Sequence, residues 1–343
     1  MSNATGIMLV LAYPETIVMV ADEWYSPFLK YLGIGKKDYV RAGHAALVLI
    51  NKATGELEYH DFGRYITAEP NGRVRGKHYD RELEFPLQAI IKNNEIVNLY
   101  EILRFLATNP KLTHGDGKLI ASVCDKIDYN KAREHITSMQ LQGQIRYAAF
   151  IKKASNCARF VTSALVASVT CVQLKKKLLR SQWFTPSTIG NVVIANTSKN
   201  VHEVSEKGEV RVFGSSVNKE NRKYFLDKLK NHEPNYAGTL SPVEVVHVHS
   251  KAQWLGGIAA GAWYELTVAA ELTKNLYRFR RVAPHGFVDV DAVFMGDEHF
   301  NYHEEFEIIH YSNCLFCTVT QKDKKFVFNY VCDFNSRQKE HLT

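Results

Sequence analysis

The sequence predicts an α+β chain, with helices and antiparallel strands mixed in the first half and mainly strands in the second. Three observations lead there. The stretch from His44 to Phe62 reads as two apolar strands around a polar turn, an amphipathic helix opens at Cys157, and short strand-like segments crowd the C-terminal third. At 343 residues the chain is long enough for two domains. Proline, glycine and hydroxyl residues cluster in Trp183-Phe-Thr-Pro-Ser-Thr-Ile-Gly190, which sets the expected domains at residues 1–185 and 186–343.

Gly6-Ile-Met-Leu-Val-Leu-Ala12 reads as a buried strand, and Ile17-Val-Met-Val20 leads towards a helix between Trp24 and Leu32. No basic residue precedes the first run, and Pro14-Glu15 separates the two, so neither is read as a secretory signal. No run reaches the roughly twenty apolar residues of a membrane-spanning helix. Cytoplasmic residence is therefore expected, with signal-less export as the alternative. His44-Ala-Ala-Leu-Val-Leu-Ile50 is the next apolar strand, Asn51-Lys-Ala-Thr-Gly-Glu56 supplies turn residues, and Leu57-Glu-Tyr-His-Asp-Phe62 returns.

Residues 63–80 read as a loop holding Arg64, Arg73, Arg75 and Lys77 among glycines. Following the returning strand, it can overhang a site and offer guanidinium groups to a substrate carboxylate or phosphate. The competing reading is a solvated surface loop. Ile96, Leu99, Ile102, Leu103 and Leu106 share a helical face that Asn109-Pro110 ends. Leu174 to Leu179 either extend the Cys157 helix or begin a successor. Beyond residue 190 come one helix, starting near Ser216 or Asn218, and then strands at Val243–His249, Leu276–Val282, Phe287–Phe294, Glu305–His310, Leu315–Thr320 and Phe326–Val331. Short strands at this spacing suggest a small antiparallel sandwich or barrel.

The chemistry centres on Ser155-Asn156-Cys157-Ala158-Arg159-Phe160-Val161. Asn156 is a favoured N-cap, and Phe160, Val161, Ala164, Leu165 and Ser168 follow at helical spacing. A thiol at a helix start feels the positive end of the dipole, which favours the thiolate. The unpaired N–H groups there can also hold an oxyanion. His44 is the best-placed base, and folding the hairpin brings His60 or Asp61 back beside it as the group that orients the imidazole.

His44 opening a strand, His60 on the next strand and a later Asn-Cys-x-x-Phe-Val segment resemble the circularly permuted papain-like superfamily. That group contains NlpC-type hydrolases and lecithin:retinol acyltransferase-like enzymes, and the sequence looks like an uncharacterised bacterial branch of it. The resemblance spans roughly the first half of the chain. It implies a permuted papain-like N-terminal domain, Cys157 as nucleophile, His44 as general base and His60 as the polar third member, and it adds no cofactor. Two departures matter. The hairpin loop is longer than in the compact acyltransferases, leaving His60 against Asp61 open. The Cys157 segment also lacks the second histidine of the acyltransferase branch, which favours hydrolysis of amides or peptides over lipid acyl transfer.

Composition narrows the partners. A formal charge of +7 is spread along the chain, Lys175-Lys-Lys177 being its longest run, and no aromatic-interleaved basic motif marks a nucleic-acid partner. Six cysteines at irregular spacing fit free thiols in a reducing compartment rather than a disulfide scaffold. Cys314 and Cys317 form one C-x-x-C without a second pair, and no His or Glu cluster completes a metal-ligand pattern, so no metal is assigned. The expected partner is a peptide, amide or acyl substrate. The rival is a non-enzymatic binding protein on an inert papain-like scaffold.

Overall fold

The computed structural model describes residues 4–335, other than 22, 37–38, 66, 68–69, 233–241, 243, 246, 258–259, 285, 287, 311 and 313. The chain divides into two compact units. One combines Met1–Gly63 with Gly72–Glu233, the other Arg64–Asn71 with Pro234–Thr343. The first is α+β and the second mainly β, both with antiparallel sheets.

In the first unit β1 (Gly6–Tyr13) is buried at every residue. A small ribbon of β2 (Val18–Met19) and β3 (Tyr39–Val40) flanks the helix α1 (Ser26–Tyr31), within the Trp24–Leu32 stretch expected to be helical. Next come the hairpin strands β4 (His44–Asn51) and β5 (Leu57–Gly63), then β6 (Asn71–Arg75). The stretch expected to be a loop thus contains a strand, because Val74 alternates with arginines and buries against Phe62. A second ribbon, β7 (Ile91–Lys92) and β8 (Glu95–Ile96), precedes α2 (Leu99–Thr108) and the one-turn α3 (Pro110–Thr113). Proline is tolerated at the start of α3, since its missing N–H has no partner in a first turn.

β9 (Leu119–Ile127), α4 (Tyr129–Leu141) and β10 (Ile145–Arg146) follow. Then come α5 (Cys157–Ser168), α6 (Val172–Ser181) and α7 (Thr188–Ala195). Val169 takes an extended conformation, so α6 is a successor to α5 and not its extension. β11 (His202–Val204), β12 (Val210–Val212) and α8 (Val217–Phe225) complete the unit.

Its eight-stranded sheet runs β10-β6-β5-β4-β1-β9-β11-β12. Both faces are covered, which explains why β1 reads as an unbroken apolar run. Met8, Val10, Ala12, Leu47 and Phe62 pack beneath α4, α5 and α7, while Ile7, Leu9, Leu11, Val48 and Tyr59 pack beneath α2. The boundary placed at residue 185 falls inside this unit. Ser187 caps α7 through its hydroxyl to the Gly190 N–H, and Ile189, Val192 and Ala195 enter the core under β1 and β9. Turn chemistry there marks a helix start, not a domain limit.

The second unit is one seven-stranded antiparallel sheet. Its strands are β13 (Gln253–Gly257), β14 (Ala260–Thr267), β15 (Leu276–Val282), β16 (Val288–Met295), β17 (Glu307–Ile309), β18 (Phe316–Gln321) and β19 (Lys324–Asp333). The order is β13-β14-β15-β16-β19-β18-β17. Gln253 donates to the Phe306 carbonyl and accepts from the Ile308 N–H, so the outer strands are bridged at one end. The expected strand at Val243–His249 lies partly outside the described residues.

Candidate active site

Cys157 is the first residue of α5. Asn156 precedes it in extended conformation, and its Oδ1 accepts from the Arg159 N–H at 2.9 Å. The Asn156 carbonyl takes the Phe160 N–H at 2.9 Å. The N–H groups of Cys157 and Ala158 find no hydrogen-bond partner among the described residues. A capped helix start therefore leaves two donors beside the sulfur, where charge would develop on an attacked carbonyl oxygen. Cys157 is 6 % exposed and borders a cleft of about 670 Å³.

His44 opens β4 directly after Gly43, which lines the same cleft. Gly43 has φ +75°, and a Cβ there would lie 3.1 Å from the Tyr13 carbonyl oxygen and 3.2 Å from Thr188 Oγ1. Glycine is what lets the chain turn into β4 this close to its neighbours. The His44 Nε2 lies 3.0 Å from Asp61 Oδ2, which leaves Nδ1 as the nitrogen able to face the thiol. Burial disfavours a charged imidazole, but the hydrogen bond to Asp61, the neighbouring Cys157 sulfur and the Asp61 charge outweigh it, pushing the pKa up to about 9.

Asp61 is fully buried and held by Arg75, whose Nε reaches Oδ1 at 2.9 Å and whose second terminal nitrogen reaches Oδ2 at 2.6 Å. Burial alone would raise the carboxyl pKa. The Arg75 charge, its hydrogen bonds and His44 overcome that and hold the group well below the usual carboxylate range. Tyr59 Oη stands 3.1 Å from the same oxygen, and Arg75 also donates to the Leu112 carbonyl at 3.1 Å. A fixed carboxylate thus orients a fixed imidazole beside a thiol at a helix start. This arrangement suits nucleophilic attack with acid–base assistance.

His60 does not share this cluster. In the β4–β5 register Leu47 pairs with His60 and Ala46 with Asp61, so His44 and Asp61 share one face while His60 points to the other. There its Nδ1 lies 3.1 Å from the Arg75 carbonyl oxygen and its Nε2 lies 3.8 Å from Glu58. The orienting place that the resemblance implied for His60 is held by Asp61.

The three arginines expected at the substrate part company. Arg75 is 0 % exposed and clamps Asp61, so it positions and does not greet substrate. Arg73 forks onto the buried Asp80 carboxylate. Arg64 belongs to the second unit. Arg75 in this role escaped sequence reading because its strand resembled a loop. His114 also escaped it. This residue ends α3 with φ 53°, its ring 5.5 Å from that of His44. Burial, then the charges of His44 and Arg75, hold its pKa down at about 3, so it stays neutral beside a protonated His44. Among the described residues no group of three His, Cys, Asp or Glu side chains is placed to hold a metal ion, and no helix is long and apolar enough to cross a membrane.

Comparison with known proteins touches both units. Residues 8–174, which contain His44, Asp61 and Cys157, match the model of a family described as type VI secretion system effector TseH-like. Residues 252–331 match the DUF6695 C-terminal domain. Among solved structures the chain is similar to the crystal structure of a type VI secretion system effector, TseH, at 17% identity and a TM-score of 0.40, covering 62% of this chain and 100% of that one. No curated protein matches the chain.

Proposed function

We propose that the first unit is a permuted papain-like thiol hydrolase that cleaves amide or peptide bonds through an acyl-enzyme. The observation that carries this reading is the His44–Asp61 pair beside Cys157 at the capped start of α5. With the proton held on His44, the Cys157 sulfur attacks the substrate carbonyl carbon, forming a C–S bond. The Cys157 and Ala158 N–H groups receive the oxyanion. As the tetrahedral intermediate collapses, the C–N bond breaks and the imidazolium protonates the leaving amine. Water then attacks the thioester with His44 taking its proton, and the C–S bond breaks with its electron pair on sulfur, which releases the acid and restores the sulfur beside the protonated imidazole. Asp61 keeps the imidazole in the required orientation and stabilises its charged form, and Arg75 keeps Asp61 ionised. An amine or alcohol in place of water would make the same site an acyltransferase. The effector description matched by residues 8–174 favours signal-less export over the cytoplasmic residence expected from the sequence.

A chloroacetamide probe at neutral pH tests the site, read by mass on each cysteine. Modification should fall first on Cys157 and depend on His44. Burial pushes the competing thiols of Cys124 and Cys317 up to about 11 and about 12. Labelling of Cys157 no faster than of the half-buried Cys171, unchanged in His44→Ala, would overturn the reading.

A further inference from the structure

The cleft in front of Cys157 is lined mainly by apolar residues. Its walls run from Cys157 and Gly43 past Val18, Met19, Leu29 and Val40. Beyond them stands an aromatic rim. The rings of Trp24 and Phe150 lie 6.3 Å apart, and those of Phe150 and Phe184 lie 4.9 Å apart. The rim is open to solvent, with Trp24 72 % and Phe184 73 % exposed. Apolar rings held in water at the mouth of a nucleophile's cleft mark a surface for an apolar partner.

The polar lining reinforces this. Arg41 is the single charged residue among the described residues lining the cleft, and it is already engaged, with Nε 3.0 Å from Asp227 and a terminal nitrogen 3.0 Å from the Glu15 carbonyl. Asn156 caps α5 and Ser187 caps α7. The other polar lining groups, among them Thr188, Asn221 and Tyr224, are neutral, so a ligand carrying carboxylates would lose its water here and meet no unengaged cation among the described lining residues. An aliphatic chain loses nothing polar and removes apolar wall from water.

We infer that the substrate of this site is an amide or ester whose acyl group is a long aliphatic chain, its carbonyl at Cys157 and its chain along the apolar wall towards the Trp24–Phe150–Phe184 rim. This rests on the thiol hydrolase reading for its chemistry, but the occupant of the cleft can be tested without turnover. The chain attacked remains on sulfur as the thioester, and the amine or alcohol leaves with the proton from His44.

The full chain would be assayed with p-nitrophenyl esters from acetyl to dodecanoyl, as monomers and embedded in phosphatidylcholine vesicles. Single-turnover samples would be weighed for the Cys157 adduct. Each added methylene should raise kcat/KM by about fourfold until the cleft is filled, and the adduct should carry the chain. Activity on monomers identifies a soluble acyl source, and activity confined to vesicles identifies a membrane lipid. Trp24→Ser and Phe184→Ser should cut the dodecanoyl-to-acetyl ratio by tenfold or more. Separately, Cys157→Ala should bind a fluorescent fatty acid saturably, and dodecanoate should displace it. Saturable binding with no turnover upholds the cleft's occupant and removes the hydrolase. A flat chain-length profile without fatty-acid binding overturns the inference, while intact Cys157 labelling would then leave the hydrolase standing.

Discussion

His44 and His60 sit on adjacent strands, both about as buried as a side chain can be, and they are opposites. His44 meets a carboxylate at 3.0 Å and a thiol that lines a cleft. His60 meets a backbone carbonyl and, at 3.8 Å, Glu58, whose carboxylate is shared with the Tyr129 hydroxyl and Arg133. The first environment supports a proton moving on and off the ring. The second ties a ring into the packing between the sheet and α4. One residue of register separates them, because successive side chains on a strand point to opposite faces. Two histidines on adjacent strands therefore say little about function until the face is known.

The sharpest way to break that contrast is to remove the nucleophile. Cys157→Ala should lower turnover of an amide or ester substrate by about 10⁴-fold or more. Residual activity within tenfold of the parent would place the chemistry elsewhere.

Next in size is Asp61→Asn, which keeps the shape but removes the charge. Turnover should fall by roughly a hundredfold or more, as expected when the imidazole loses its orienting carboxylate. Urea unfolding should show a loss of about 3–5 kcal/mol, because the buried Arg75 charge loses its carboxylate counter-charge. If stability fell while turnover held, Asp61 would be structural alone.

The third test uses pH. The native pKa of His44, about 9, lies above its ordinary 6.5, so the folded state binds this proton more tightly than the unfolded chain. The resulting stabilisation is complete below about pH 6.5 and is lost as pH rises through about 9. Relative to His44→Gln, the parent should therefore lose about 3 kcal/mol of its advantage across that window. A gap that stayed constant or widened with pH would mean that the pair does not hold the proton as described.

The smallest effect belongs to the other face. His60→Gln should cost about 1–3 kcal/mol in stability through its lost buried hydrogen bond, with turnover within about threefold of the parent. A hundredfold loss of turnover at unchanged stability would restore His60 as a partner of His44 and undo the comparison.

Much of the candidate site was legible before folding. Asn156 as cap, Cys157 as first helical residue and His44 as first residue of a strand all depend on interactions within a few positions, and the observed cap bond and strand limits agree with them. The hairpin was legible for the same reason. Less visible were β9 and α4, which complete the layers around β1, and the strand carrying Arg75, whose polar residues find partners only across the sheet. The domain limit was misplaced because Ser187 and Gly190 look alike in a linker and at a helix start.

By itself, then, the sequence determined the α+β class, the position of Cys157 at a helix start and the strand position of His44. These follow from capping, periodicity and turns, which act over one or two turns of chain. Tertiary structure alone decided that Asp61 and not His60 meets His44, that Arg75 holds Asp61 instead of a substrate, and that the cleft is apolar. Each of these depends on register and on elements far apart in sequence, where a shift of one residue changes the face on which a side chain lands.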